Sequence, residues 1–301
     1  MTILIPPLET DRPPADVKPS GGKRSLSLGS WLIPLVACLY VGVVILLPAL
    51  AVVVQAFAKG VGVFLENLQS PELLAALRLT LFATAIAVPA NTIFGLAAAT
   101  AIARKQFRGK ALLLSIIDLP FSISPVVVGL MLVLLYSTSH GLFADIINSL
   151  GWKIIFSWPG IVLATIIVTF PFMAREVIPL LEEEGWEQEE AAKTLGASDW
   201  QVFWKVTLPS VRWAALYGLI LTTARALGEF GAVSVVSGNI SGETQTLPLF
   251  VEDAYKQYHT ELAFGAAMVL GGVAIVSLLL KILVEQLLEN EKRATRKDQS
   301  E

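Results

Sequence analysis

The sequence predicts an all-α, polytopic membrane protein of six transmembrane helices with both ends in the cytoplasm. Three observations carry that prediction. Of the 301 residues, 54% are hydrophobic and only 16% are charged, against roughly 25% charged in soluble domains. The apolar residues gather into runs long enough to cross a bilayer core, which takes about 20 residues of helix. Lysine and arginine are shared unevenly among the connections between those runs, as a positive-inside topology requires. The other global features exclude function classes. A net charge of −3, two histidines and a single cysteine, Cys38, provide no basic field for nucleic acid, no internal disulfide and no zinc cluster.

Residues 1–29 hold Pro6, Pro7, Pro13, Pro14, Pro19, Gly21 and Gly22 and read as a flexible N-terminal tail. The membrane domain covers 30–288, with apolar runs at 31–57, 77–103, 112–136, 159–180, 211–237 and 263–287, and residues 289–301 form a C-terminal tail. Ala56-Phe57-Ala58 has the small-x-small look of a signal cleavage site. The run before it is about twice the length of a signal core and follows a polar tail, so it reads as an uncleaved span. With the N-terminus inside, seventeen Lys and Arg fall in or beside inner segments, and only Lys59, Lys153 and Lys256 fall outside. Arg78 and Arg225 lie within spans.

The inner loop 182–209 is the informative connection, because about 28 residues are too many for a passive link. Glu182 to Leu195 is rich in helix formers, and Gly196 punctuates it as a C-terminal glycine would. Ser198 with Gln201 makes a capping box that opens a second helix, which Pro209 is expected to end. That second helix carries Trp200, Phe203 and Trp204. Such aromatics serve either as an interfacial belt or as a docking knob for a partner.

Glu190-Ala191-Ala192, then Gly196 after three intervening residues, then Val206-Thr207-Leu208-Pro209 after nine more resemble the E-A-A-x3-G-x9-I-x-L-P loop of bacterial ATP-binding-cassette importer permeases, with Val206 in place of Ile. The resemblance implies the six-helix type I importer architecture and a coupling helix that fits a groove on a separate ATPase. Glu190, Ala191, Ala192, Gly196, Leu208 and Pro209 are then the ATPase-coupling residues. The chain has no GxxxxGK[ST] loop; Gly21-Gly22-Lys23-Arg24-Ser25 comes nearest and lacks the spacing. ATP and Mg therefore belong to the partner ATPase. No cofactor, metal or catalytic residue is expected in this transport subunit, which is not itself an enzyme.

Charges and breaks inside the spans are the remaining candidates. Arg225 and Glu229, four apart, share a helical face. They form either a structural ion pair or an arginine on the path of an anion, restrained by the acid. Ala224, Gly228 and Ala232 repeat at small-xxx-small spacing, which lets another helix approach. Asp118, Ser122 and Ser124, interleaved with Pro120 and Pro125, form either a packing kink or a gate lining the path.

The stretch Ala224–Ala232 resembles the fifth-span signature of sulfate and molybdate importers. Residues 233–238, 242–248 and 118–129 are similar to the W-type permease subunit of sulfate/thiosulfate importers. That resemblance implies a bacterial inner-membrane location and uptake of sulfate or thiosulfate. It also implies a pore shared with a second sulfate permease subunit, an ATPase dimer and an extracytoplasmic sulfate-binding protein, with membrane lipid around and no nucleic acid. Molybdate or tungstate is the alternative cargo; a membrane-embedded enzyme or a non-transporting scaffold is more distant. The acidic outer loop 238–262 is expected to meet the binding protein through 242–258, with Thr246 and Tyr255 as probe positions.

Overall fold

The computed structural model describes residues 28–298, whose regular structure is entirely helical. Predictions for residues 1–27 and 299–301 lie outside the described residues. The chain divides into two units, Met1–Ala49 and Leu50–Glu301. In the first, α1 (Leu28–Val41) contains Pro34 and passes into a π-helical turn, Gly42–Leu46. Its large apolar side chains from Leu35 to Leu46 are half or more exposed, which suits hydrocarbon rather than water as the surrounding medium. The helix runs on as α2 (Leu47–Ala56).

In the second unit, α3 (Val61–Leu68) precedes α4 (Pro71–Arg104). The Ser70 hydroxyl caps α4 by accepting the Leu73 N–H at 3.3 Å, with Pro71 in the first turn. Next come α5 (Lys110–Ser122), α6 (Pro125–Tyr136), α7 (Ala144–Ser149) and α8 (Trp158–Glu184). After them run α9 (Glu187–Thr194), α10 (Asp199–Val202), α11 (Leu208–Leu227), α12 (Gly231–Val236), α13 (Leu247–Lys256) and α14 (Thr260–Asp298).

Among the described residues three helices are long and apolar enough to cross a membrane: Pro34–Ala56, Pro71–Arg104 and Trp158–Glu184. The third apolar run is broken at Ile123–Ser124, where α5 and α6 meet at 112°. Pro125 drives Ser124 into an extended conformation (ψ 135°) and so forbids a continuous helix. The predicted span 211–237 is likewise interrupted between Leu227 and Gly231. The sixth run, 263–287, lies inside α14, which stays helical to Asp298 and so takes in most of the predicted tail.

Helix α8 is the centre of this unit and packs against α4, α5, α6, α11 and α12. Met173, Val177 and Leu181 on α8 are fully buried with Ala99 of α4 and Val211 of α11. The helices touch closely because glycine faces Met173: a Cβ on Gly95 would lie 2.7 Å from the Met173 Cβ and Cγ. The predicted stripe at Ala224, Gly228 and Ala232 meets a neighbour at Ala232 and not at Gly228, where a Cβ would meet only the Ala224 carbonyl at 3.8 Å. The helix break rotates the stripe apart. The close approach at Ala232 is between α6 and α12, where a Cβ on Gly129 would lie 2.7 Å from the Ala232 carbonyl oxygen.

Candidate functional site

The segment between α8 and α11 is a helix–turn–helix, as expected, with two differences from the sequence reading. Gly185, at φ 70°, separates α8 from α9, so Glu182–Leu195 is two helices rather than one. The Ser198 capping box is present: the Ser198 hydroxyl accepts the Gln201 N–H at 3.3 Å, and the Gln201 side chain accepts the Ser198 N–H at 2.9 Å. Pro209 does not end the helix it follows. A π-helical turn, Phe203–Thr207, leads straight into α11, and the Leu208 N–H donates to the Phe203 carbonyl five residues back. The wider register places Pro209 in the first turn of α11, where a missing N–H is tolerated.

Glu190 and Ala191 are exposed on α9, and Ala192 is half-buried. Gly196 turns the chain at φ +89° with open space around it; Leu195 beside it is 89% exposed and Trp200 69%. Lys193 and Asp199 pair across the turn at 2.8 Å. The hydrogen bond to Lys193 holds the Asp199 carboxyl below its ordinary value, and the same bond raises Lys193. Trp200, Phe203 and Trp204 pack together with ring centroids 5.4–6.4 Å apart.

The residue that ties this segment to the helices is one that the sequence reading passed over. Glu189, the neighbour of Glu190, accepts the Arg104 Nε–H at 2.9 Å and the Thr207 hydroxyl at 2.8 Å, both through Oε1. Arg104, the last residue of α4, also donates to the Leu181 carbonyl at 2.6 Å. The Arg104 and Glu189 side chains are only 11% and 13% exposed. Six glutamates crowd this loop, and spacing alone does not say which one turns inward.

The two breaks hold the other candidates, each with its own arginine. Asp118 on α5 pairs with Arg175 on α8 at 2.8 Å, and the Arg175 guanidinium lies 4.2 Å over the Phe121 ring. Both charged side chains are about half exposed. Ser122 ends α5, and Ser124 precedes α6 without a side-chain cap. Arg225 and Glu229 do pair, with Nη1 and Oε2 2.6 Å apart, although Glu229 lies in the break beyond α11. Its other oxygen accepts the Ala232 N–H at 2.9 Å, so one carboxylate spans the gap from the end of α11 to α12. It is 1% exposed against 31% for Arg225.

Residues 238–262 form an ordered element. Leu247, Leu249 and Phe250 of α13 are buried, Leu247 and Phe250 against α4 and α14, and the Leu247 N–H donates to the Thr80 hydroxyl at 2.8 Å. Gln245 is buried and donates to Asn239 and Asp253. Thr246 is 3% exposed and so is no probe position; Tyr255 and Tyr258 are open at 61% and 89%.

Residues 91–290 match the family described as "Binding-protein-dependent transport system inner membrane component". The chain is similar to the sulfate transport system permease protein CysW of Synechococcus elongatus, 61% identical over 266 residues that make up 88% of this chain and 93% of that protein. It is also similar to the sulfate transport system permease protein CysT of Escherichia coli, 36% identical over 254 residues, 84% of this chain and 89% of that protein. A solved bacterial ABC transporter, involved in import of the acidic polysaccharide alginate, shares the fold. Its TM-score is 0.71 at 19% identity, covering 89% of this chain and 96% of that chain.

Proposed function

Because this chain belongs to the family of binding-protein-dependent transport system inner membrane components, we propose that it is the W-type permease subunit of an ATP-driven sulfate importer. The observation that carries the reading is 61% identity, over nearly all of both chains, to a sulfate permease. The chain is a multi-pass inner-membrane transport subunit, and the hydrolysis of ATP with Mg takes place on a separate ATPase dimer. Sulfate and thiosulfate are its cargo. Its pore partner is a second sulfate permease, and its relative CysT, from a sulfate transport system, supports that pairing. The finer topology is six crossings with both ends in the cytoplasm, the broken third and fifth runs and the apolar part of α14 completing the count.

Coupling runs through α9 and the Gly196 turn. Glu190, Ala191 and Gly196 face outward there beside the half-buried Ala192, with Leu195 and Trp200 giving the tip an apolar surface suited to a groove on the ATPase. Leu208 and Pro209 open α11 and carry the movement into the membrane. The two breaks serve as gates, because helix ends there already have their backbone groups turned toward protein or water. Asp118, Ser122 and Ser124 line the path, while the Arg225–Glu229 pair holds the α11–α12 break in shape. The binding protein docks at the α13 end, near Tyr255 and Tyr258.

Radiolabelled sulfate uptake in a strain lacking this chain tests the reading. Wild type restores uptake, and Gly196→Asp abolishes it with the protein still in the membrane, because an L residue is strained at φ +89° and a charge spoils the apolar tip. Uptake unaffected by deletion, in a strain with no other sulfate importer, would show the cargo to be wrong.

A further inference from the structure

We infer that Arg104, Glu189 and Thr207 form the mechanical joint through which α9 drives α11 and α4. The inference rests on α9 being the ATPase-facing element and adds how its movement leaves it. Glu189 is the one α9 residue whose carboxylate reaches two other helical elements, the end of α4 through Arg104 and the π-helical turn before α11 through Thr207. Arg104 adds α8 through the Leu181 carbonyl. Charge-assisted hydrogen bonds of this kind, largely removed from water, are stronger than neutral ones and hold geometry.

Thr207 marks the joint as specific. A threonine in a helix ordinarily donates its hydroxyl to the carbonyl four residues back, as Thr92, Thr100, Thr165, Thr194, Thr222 and Thr223 do here. Thr207, 3% exposed, instead aims its hydroxyl at Glu189. The π-helical turn that ends at Thr207 shifts the register just where the hydroxyl must face α9. Both donors converge on one oxygen, so losing the Thr207 hydroxyl cuts the link to α11 and leaves the ion pair to α4 in place. Glu189 and Thr207 are positioning residues: neither touches cargo or nucleotide.

The test uses the complete complex in proteoliposomes, with spin labels on α9 at Gln188 and on α11 at Leu216, both exposed, in a Cys38→Ser background. In the otherwise wild-type complex α9 and α11 move as one, and the label distance is the same with and without ATP. Thr207→Val makes that distance change with nucleotide and raises ATP hydrolysed per sulfate imported by roughly 5-fold or more, while ATPase activity persists. Thr207→Ser restores both. Wild-type distances and stoichiometry in Thr207→Val would overturn the joint, and so would loss of the assembled complex rescued by Thr207→Ser, which would make the hydroxyl a mere brace. A wild-type complex that hydrolyses ATP but carries no sulfate overturns the cargo reading alone, because the label distance reports on the joint whichever anion moves.

Discussion

Met173 sits in a slot between two glycines, and the two sides of the slot should respond differently to a single added methyl. A Cβ at Gly95 would lie 2.7 Å from the Met173 Cβ and Cγ and 3.6 Å from the Ala174 nitrogen. Carbon atoms pack at about 3.5–4.0 Å, so the deficit is about 1 Å. The Met173 Cβ cannot retreat without moving the α8 backbone. At Gly218 the nearest atom is the Met173 Sδ at 3.0 Å, the movable end of a flexible chain, with its Cα at 3.3 Å. Overpacking a core costs about 1–3 kcal/mol. Gly95→Ala should fall near the top of that range and Gly218→Ala near the bottom. Met173 is fully buried, so Met173→Ala alone should cost about 2–5 kcal/mol. Combined with Gly218→Ala it should cost less than the sum, because the new methyl enters space left by the sulfur. Combined with Gly95→Ala the relief is partial, since the Cβ clash remains. Thermal unfolding of the purified protein in detergent, followed by tryptophan fluorescence, reads both cycles. A larger loss for Gly218→Ala than for Gly95→Ala would refute the argument. So would additivity of Gly218→Ala with Met173→Ala to within about 0.5 kcal/mol.

Three further outcomes follow from the same geometry. Arg225→Gln strips the counter-ion from a carboxylate that is 1% exposed and should cost about 3–5 kcal/mol. Glu229→Gln keeps an oxygen for the Ala232 N–H and leaves an arginine that can reach water, so it should cost clearly less; equal losses in unfolding midpoint would count against the cap. Ser198→Ala removes one half of the capping box and should destabilise the α10 turn by about 0.5–2 kcal/mol, seen as faster amide exchange at Gln201 with little change at Glu189. The Lys193–Asp199 pair makes the Gly196 turn pH-sensitive only at the extremes. The lowered Asp199 carboxyl contributes above its ordinary 3.8 and loses that contribution as pH falls through its depressed value. Lys193 contributes below its ordinary 10.5 and loses that contribution as pH rises through its raised value. Amide exchange at Ala197, corrected for intrinsic rate, should therefore show constant protection across the neutral range; a step near neutrality would contradict the pairing.

Much of this was legible in the residues, and the misreadings have identifiable causes. Ser198 and Gln201 announce a capping box because the motif is local: both bonds close within four residues. Arg225 and Glu229 were read as neighbours from their spacing, and they pair even though the helix between them breaks. Pro209 reads as a stop only if the register before it is α-helical, and the π-helical turn there changes that register. Asp118 and Arg175 are 57 positions apart and Arg104 and Glu189 are 85 apart, distances at which no local pattern operates. The acids of 182–190 are alike in composition, so nothing short of packing distinguishes half-buried Glu189 from exposed Glu190. The charge of the outer loop makes Thr246 a probe position, yet Thr244, Gln245 and Thr246 are buried ahead of α13.

Taken alone, the sequence determined the solvent of this protein, its helical class and the place of its long helix–turn–helix connection. Those properties depend on run length, charge asymmetry and short motifs, all of which can be read along the chain without knowing which helix lies beside which. Only the tertiary structure decided where the fifth run breaks, which glutamate joins α9 to α11, and which glycines let α4, α6, α8, α11 and α12 approach. These depend on which helix lies beside which. That choice is made by side-chain shape and paired charge across dozens of residues, where no periodicity in the chain records it.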